Sequence, residues 1–326
     1  MNKFIRFAIT GLLLSWIGWK TDWSAVGKAF VNLNVGYWVA AVALLVAAQF
    51  VSALRWQIFA RQLGMERSFW QLTRYYFIGM YFNLLLPTSV GGDVVRILYL
   101  NGKSGKKLRA AAAVMLDRVN GLIVLVAVAC VAVLFAPPDL PAWVTFSVFG
   151  IAGAGVCGTL GLAAIARWGR LNEHRKAQVA MFWEVVRQPR SLVATTLLSL
   201  VVQVASAAIV WFVAQGLSLN IPLWYYAVFV PMVSLMTLLP SVAGMGVREE
   251  GCALFLAPLG IDSTTAVTLA ILWFAVQIAV SSLGGLVYLF GHDTDVKNTP
   301  RDKEVEHGTV DRHSDQGRAR QLDRAA

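Results

Sequence analysis

The sequence predicts an all-α integral membrane protein made of two inverted repeats, each with about three spanning helices and one re-entrant, broken helical hairpin. Three observations carry this prediction. The chain of 326 residues is 57% hydrophobic and only 14% charged, where a soluble domain carries about 25% charged residues. Several of its apolar runs approach or exceed the roughly 20 residues that a spanning helix needs. Lys and Arg are concentrated in some loops and missing from others, which gives each run a side.

The apolar runs are 4–20, 36–59, 110–135, 142–166, 191–214 and 266–290. The first is short and follows a basic start. Ser15-Trp16-Ile17-Gly18-Trp19-Lys20 offers no small-x-small cleavage site, so it reads as a retained helix and not a signal peptide. Two further apolar regions are interrupted. Region 70–101 breaks at Pro87 and Gly91-Gly92, and region 222–258 breaks at Pro240, Gly244 and Gly246.

Loops 60–69, 102–109 and 167–190 hold Arg61, Arg67, Lys103, Lys106, Lys107, Arg109, Arg167, Arg170, Arg175, Lys176, Arg187 and Arg190; loops 136–141, 215–221 and 259–265 hold no Lys or Arg. The positive-inside rule then places the basic loops and both termini in the cytoplasm. Region 70–101 has basic loops on both sides, so it enters and leaves on the cytoplasmic face. Region 222–258 has uncharged loops on both sides, so it enters and leaves on the outer face. Each is a hairpin. The second half of the first, about 14 residues, covers about 21 Å, short of the ~30 Å hydrocarbon core. That favours re-entrant hairpins over two full crossings.

The predicted domains are a transmembrane unit, 1–290, with repeats at about 4–135 and 142–290, and a polar tail, 291–326, of disordered composition. LLPTSVGGDVVR (85–96) and LLPSVAGMGVRE (238–249) align with one gap, and broken helices in inverted repeats are a transporter architecture. Segments 22–34 and 172–186 are amphipathic and read as interfacial helices.

The net charge of +10 is no nucleic-acid footprint, because its excess lies in 1–290, where it fits cytoplasmic loops and anionic lipid. Cys130, Cys157 and Cys252 sit in apolar runs, and no His motif with metal spacing occurs. Neither a metal nor a cofactor is expected, and no catalytic residue is assigned.

The candidate binding residues lie at the breaks and on the helix that follows the first. Pro87 ends a helix. Thr88 and Ser89 can satisfy freed backbone groups, and Asn83 is an intramembrane polar group that alone reads as a helix–helix hydrogen bond. Gly91 and Gly92 allow a turn or a close approach. Asp93 stands where a helix N-cap would, ahead of Arg96. In the second hairpin Pro240, Ser241, Gly244 and Gly246 form the break. Arg248, Glu249 and Glu250 follow in the first turn of the next half-helix. Two half-helix N-termini with Arg96 and Arg248 would make an anion site, suited to a phosphate-bearing headgroup. Asp93, Glu249 and Glu250 can cap, pair with the arginines or carry protons. Asp117 and Arg118 lie about 10–12 Å along their helix, deep enough to reach the hairpin charges. Arg55 reads as a snorkelling residue near the cytoplasmic end of its helix. Asn120, Gln203 and Gln277 read as helix–helix hydrogen-bonding groups.

FNLLLPTSVGGDVVR (82–96), LDRVNGL (116–122) and LLPSVAGMGVREEG (238–251) resemble the motifs of the lysylphosphatidylglycerol synthase transmembrane-region family, the flippase-like domain of the multiple-peptide-resistance proteins. The resemblance covers roughly 5–290. It implies movement of a phospholipid, hopanoid-type or polyprenyl-linked headgroup between leaflets of the cell inner membrane. The two-part relatives add a soluble aminoacyl-transferring domain, and 36 residues after 290 are too few for one. The expectation is therefore a non-enzymatic flippase or scramblase, passive or ion-coupled, with a lipid-synthesising enzyme as candidate partner and its oligomeric state open. The alternative is a membrane-embedded transferase or accessory subunit acting on a lipid-linked substrate.

Overall fold

The computed structural model describes residues 33–85, 91–102, 105–136, 140–168, 187–238 and 244–290, with single positions at 15, 19, 24, 27, 28, 31 and 185. The expected helix at 4–20, the interfacial segments 22–34 and 172–186, and the tail fall largely or wholly outside these residues. So do Pro87, Ser89, Pro240 and Ser241.

Among the described residues the fold is all helical. The helices are α1 (Val35–Gln62), α2 (Phe69–Leu85), α3 (Gly91–Asn101), α4 (Lys107–Leu134), α5 (Ala142–Trp168), α6 (Pro189–Gly216), α7 (Leu223–Met236), α8 (Val247–Leu256) and α9 (Ser263–Phe290). A 3-10 turn, Ala257–Leu259, joins α8 to α9. Helices α1, α4, α6 and α9 are each 28 residues and apolar enough to cross a membrane. At 1.5 Å per residue each is about 42 Å long, so each can cross the core with a turn or more to spare. Helices α2, α3, α7 and α8 have 17, 11, 14 and 10 residues.

Local chemistry sets the boundaries. The Asn34 side chain accepts the Gly36 N–H at 3.1 Å and starts α1. Pro189 opens α6 at a position where no N–H is needed. Asp262 accepts the Thr265 N–H at 3.0 Å and its hydroxyl at 2.5 Å, which starts α9. These bonds to Thr265 hold the exposed Asp262 carboxyl below the usual carboxylate range.

The core has two centres. Trp56, Phe59, Leu72, Tyr75, Leu100 and Val114 pack the first from α1 to α4. Tyr225, Phe229, Phe255, Leu269 and Val276 lead the second, around α6 to α9. Helix α1 runs along α6, and the other contacts form matched pairs. Helix α1 packs on α2 as α6 packs on α7, and α2 on α3 as α7 on α8. Helix α3 packs on α4 as α8 on α9, and α1 on α4 as α6 on α9. Helix α2 packs on α9 as α7 on α4, and α4 on α6 as α9 on α1. Helix α5 packs on α4.

Glycine permits the tightest crossings. A Cβ at Gly92 would lie 1.9 Å from the Gly79 carbonyl oxygen, so α3 meets α2 backbone to backbone. A Cβ at Gly284 would lie 2.0 Å from the Phe77 oxygen, so α9 seats on α2 in the same manner.

Candidate functional site

The site begins at the first hairpin. Helix α3 leaves backbone N–H groups without intrahelical partners at its start. Asn83, near the end of the antiparallel α2, accepts the Gly92 N–H at 2.7 Å. Asp93 and Arg96 follow one turn apart on α3. Asp93 lies in the first turn and not at the cap, and its carboxylate faces arginines.

Helix α4 supplies Asp117 and Arg118, whose neighbouring positions point in different directions around the helix. Asp117 is clasped by two arginines: Arg55 Nε at 2.7 Å and Arg96 NH2 at 2.9 Å. Arg118 grips Asp93, with Nε 2.9 Å from one carboxylate oxygen and NH2 3.0 Å from the other. Arg96 also approaches Asp93 at 3.4 Å. The Arg96 guanidinium carbon lies 4.2 Å from the ring centroids of both Trp56 and Tyr76, a cation–π contact strengthened by desolvation. Arg55 NH1 donates to Ser199 on α6 at 2.8 Å, and the Ser199 hydroxyl donates to Asn120. Three arginines and two aspartates from α1, α3 and α4 thus form one connected cluster. Paired buried charges of this kind hold geometry, and removing one partner exposes the cost of burying the other.

Arg55 does not snorkel. It is 5% exposed, and the carboxylate of Asp117 holds it inside. The signal that could have found it is a charge pair 62 residues apart, which no local pattern reveals.

The second hairpin is built differently. Gly244 and Gly246 have φ of +76° and +82°, left-handed values that favour glycine. The Gly246 N–H donates to Glu249 at 2.7 Å, so Glu249 closes back on its own helix start. Arg248 is buried, with its guanidinium carbon 4.6 Å from the Phe274 centroid and 5.6 Å from that of Trp273. Glu250 is half-buried in the same turn.

Between the hairpins lies a cavity of about 360 Å³. Asn83 and Leu84 line it from α2, and Gly244 and Arg248 from the second hairpin. Arg118 lines it from α4, and Trp273 and Gln277 from α9. Gln49, Ser206, Ser234, Thr237 and Ser281 add polar groups. The described lining therefore holds two arginines and no carboxylate. Arg96 and Asp117 stand behind it in the ion-pair cluster, and Arg118 is the first-half arginine that reaches the cavity.

The profile of the family described as the lysylphosphatidylglycerol synthase TM region matches residues 3–285. The chain belongs to this family. A UPF0104 membrane protein, PH1989, of Pyrococcus horikoshii is 24% identical over 139 residues. The matched stretch is 42% of this chain and 42% of that relative. With its long apolar helices, the family member described here is a multi-pass membrane protein.

In this family member, Asn83, Gly244, Arg118 and Arg248 meet at the cavity. Asp93, Arg96 and Asp117 meet beside it, and Gly91 and Gly92 form the start of α3 at the α2 crossing. Gly246, Glu249 and Glu250 shape the α8 start without lining the cavity. Asn120 and Gln203 hydrogen-bond to α6 and α4 partners across that interface, as helix–helix groups do, whereas Gln277 lines the cavity. The aromatic rings of Trp273 and Phe274 were not expected at the site, because in sequence they are indistinguishable from core residues.

Proposed function

We propose that the chain is a flippase- or scramblase-like transporter that moves a lipid headgroup between the leaflets of the cell inner membrane. The observation that carries this reading is the cavity lined by Arg118 and Arg248 between the two hairpins. A polar headgroup crossing hydrocarbon loses its hydration at a cost of several kcal/mol or more. A polar hollow with guanidinium groups replaces part of that hydration and favours phosphate, which arginine binds through two parallel N–H bonds. The guest is an anionic or phosphate-bearing headgroup of a phospholipid, hopanoid-type or polyprenyl-linked lipid. Its acyl or prenyl chains stay in the bilayer.

The paired packing supports an inverted-repeat architecture. Exchanging α1 with α6, α2 with α7, α3 with α8 and α4 with α9 maps the contact pattern onto itself. The element matching α5 in this order would be the run 4–20. Short α3 and α8, about 17 and 15 Å long, support re-entrant hairpins, one from the cytoplasm and one from outside. Both termini are then cytoplasmic, and a lipid-synthesising enzyme is a natural partner on that face.

Reconstitution tests the reading. Headgroup-labelled lipids are placed in one leaflet of liposomes with and without purified protein. Exchange faster than in empty liposomes is expected for at least one phosphate-bearing lipid. Exchange equal to empty liposomes for every class, with chemical turnover of a lipid substrate instead, sinks the proposal in favour of a transferase.

A further inference from the structure

Arg118 belongs to two environments at once. It lines the cavity and its side chain is 42% exposed, while the side chains of Arg55, Asp93, Arg96 and Asp117 are at most 12% exposed. Asp93 accepts from both its Nε and its NH2, so a carboxylate holds the fork that would bind two phosphate oxygens. The other groups are engaged elsewhere. Asp117 is shared by Arg55 and Arg96, and Arg96 reaches Asp93 only at 3.4 Å. Three guanidinium groups share two carboxylates, which leaves one surplus positive charge in this cluster. Arg118 is its cavity-facing member.

The surroundings reinforce this asymmetry. Arg248 lines the same cavity. Glu249 is turned onto the Gly246 N–H, and Glu250 is not among the lining residues. The sequence 86–90 and 239–243, at the hairpin breaks, contains no charged residue.

Resting on the headgroup reading above, we propose that Asp93 is a resident counter-ion of Arg118, and that the guest's phosphate displaces it. Asp93 rides on α3 and Arg118 on α4, so their ion pair ties the short half-helix to the spanning helix. A phosphate that takes the Arg118 fork breaks this tie while the Arg96–Asp117 pair still holds α3 to α4, and headgroup arrival loosens the first turn of α3. Asp93 then lowers anion affinity in the empty site and sets the occupancy at which that turn loosens. Its role is positional, acting through Arg118.

The test uses the full chain in detergent, with short-chain dihexanoyl phosphatidylglycerol as probe and glycerol 3-phosphate as the acyl-free control. Asp93→Asn should bind the short-chain lipid about tenfold more tightly than wild type, and Arg118→Gln about tenfold more weakly, the scale of one charge-assisted bond. A conservative Arg118→Lys should recover part of the loss. In the wild type, where no variant has to fold, the lipid should speed amide hydrogen exchange across Gly91–Arg96. Unchanged or weaker binding by Asp93→Asn, or protection of those amides, overturns the proposal. Equal gains for glycerol 3-phosphate keep the displacement and assign the site to a soluble phosphate ester, against the lipid reading. Wild-type lipid exchange without any Asp93→Asn gain keeps the lipid reading and removes the displacement.

Discussion

At the scale of single residues, the site separates charges that hold from charges that face the cavity. Asp117 is 1% exposed and compensates two arginines. Asp117→Asn should destabilise the protein by about 3–5 kcal/mol, because it strands buried guanidinium groups. Thermal unfolding in detergent measures this. Arg248→Gln leaves the cluster of Arg55, Asp93, Arg96, Asp117 and Arg118 intact. It should reduce lipid exchange about tenfold or more while lowering the melting temperature less than Asp117→Asn does. Equal thermal losses in the two variants would contradict the division of labour. Sequence alone flagged Asp93, Arg96, Asp117, Arg118 and Arg248, because charge inside an apolar run stands out. It could not say which carboxylate meets which arginine, since Arg55 and Asp117 find each other only when α1 packs on α4. Nor could it separate Trp273 and Phe274 from the other aromatic residues of apolar helices.

At the scale of elements, the interruptions between α2 and α3 and between α7 and α8 were legible because their punctuation is local. Pro87 with Gly91-Gly92, and Pro240 with Gly244 and Gly246, are clustered breakers inside apolar runs, whereas the isolated Pro231 and Gly284 continue their helices. Tertiary use of a glycine is not local, and it divides residues that look alike in sequence. Gly92 sits against the Gly79 backbone, whereas a Cβ at Gly153 or Gly158 of α5 would meet nothing within 4 Å. Gly92→Ala should cost several kcal/mol through overpacking and backbone displacement, beyond the roughly 1–3 kcal/mol of an ordinary misfit. Gly153→Ala should be neutral or slightly stabilising. Comparing melting temperatures of the two variants checks the crossing. The α9 start gives a pH-dependent case. Asp262 has a depressed carboxyl, so its stabilisation is present above the unfolded pKa of about 4 and is lost as pH falls through the lower folded value. Asp262→Ala should therefore lower stability by about 0.5–2 kcal/mol at neutral pH, with the gap to wild type closing in acid. A gap that persists below that range assigns the loss to something other than the ionised cap.

At the scale of the whole molecule, the membrane class and family were legible from composition and three motifs, and the profile match over 3–285 bears out the family. The proposed pairing of the two halves rests, in sequence, on an order of loops and breaks. The contacts of α1–α4 exchange with those of α6–α9 in the same order, which supports the proposal. Sidedness has its own check. Reporters fused at Lys106 and Asp262 should fall on opposite faces of the membrane, cytoplasmic and outer. Both reporters on one face would remove the inverted arrangement. The central claim is that a headgroup passes through the hollow between the hairpins. Its most direct test is the rate of leaflet exchange in proteoliposomes for wild type and for Ser234→Trp, which puts a large side chain into the cavity lining. The account predicts exchange above empty liposomes in the wild type and a return towards the empty-liposome rate in a folded Ser234→Trp. Undiminished exchange through a folded, filled cavity would contradict it.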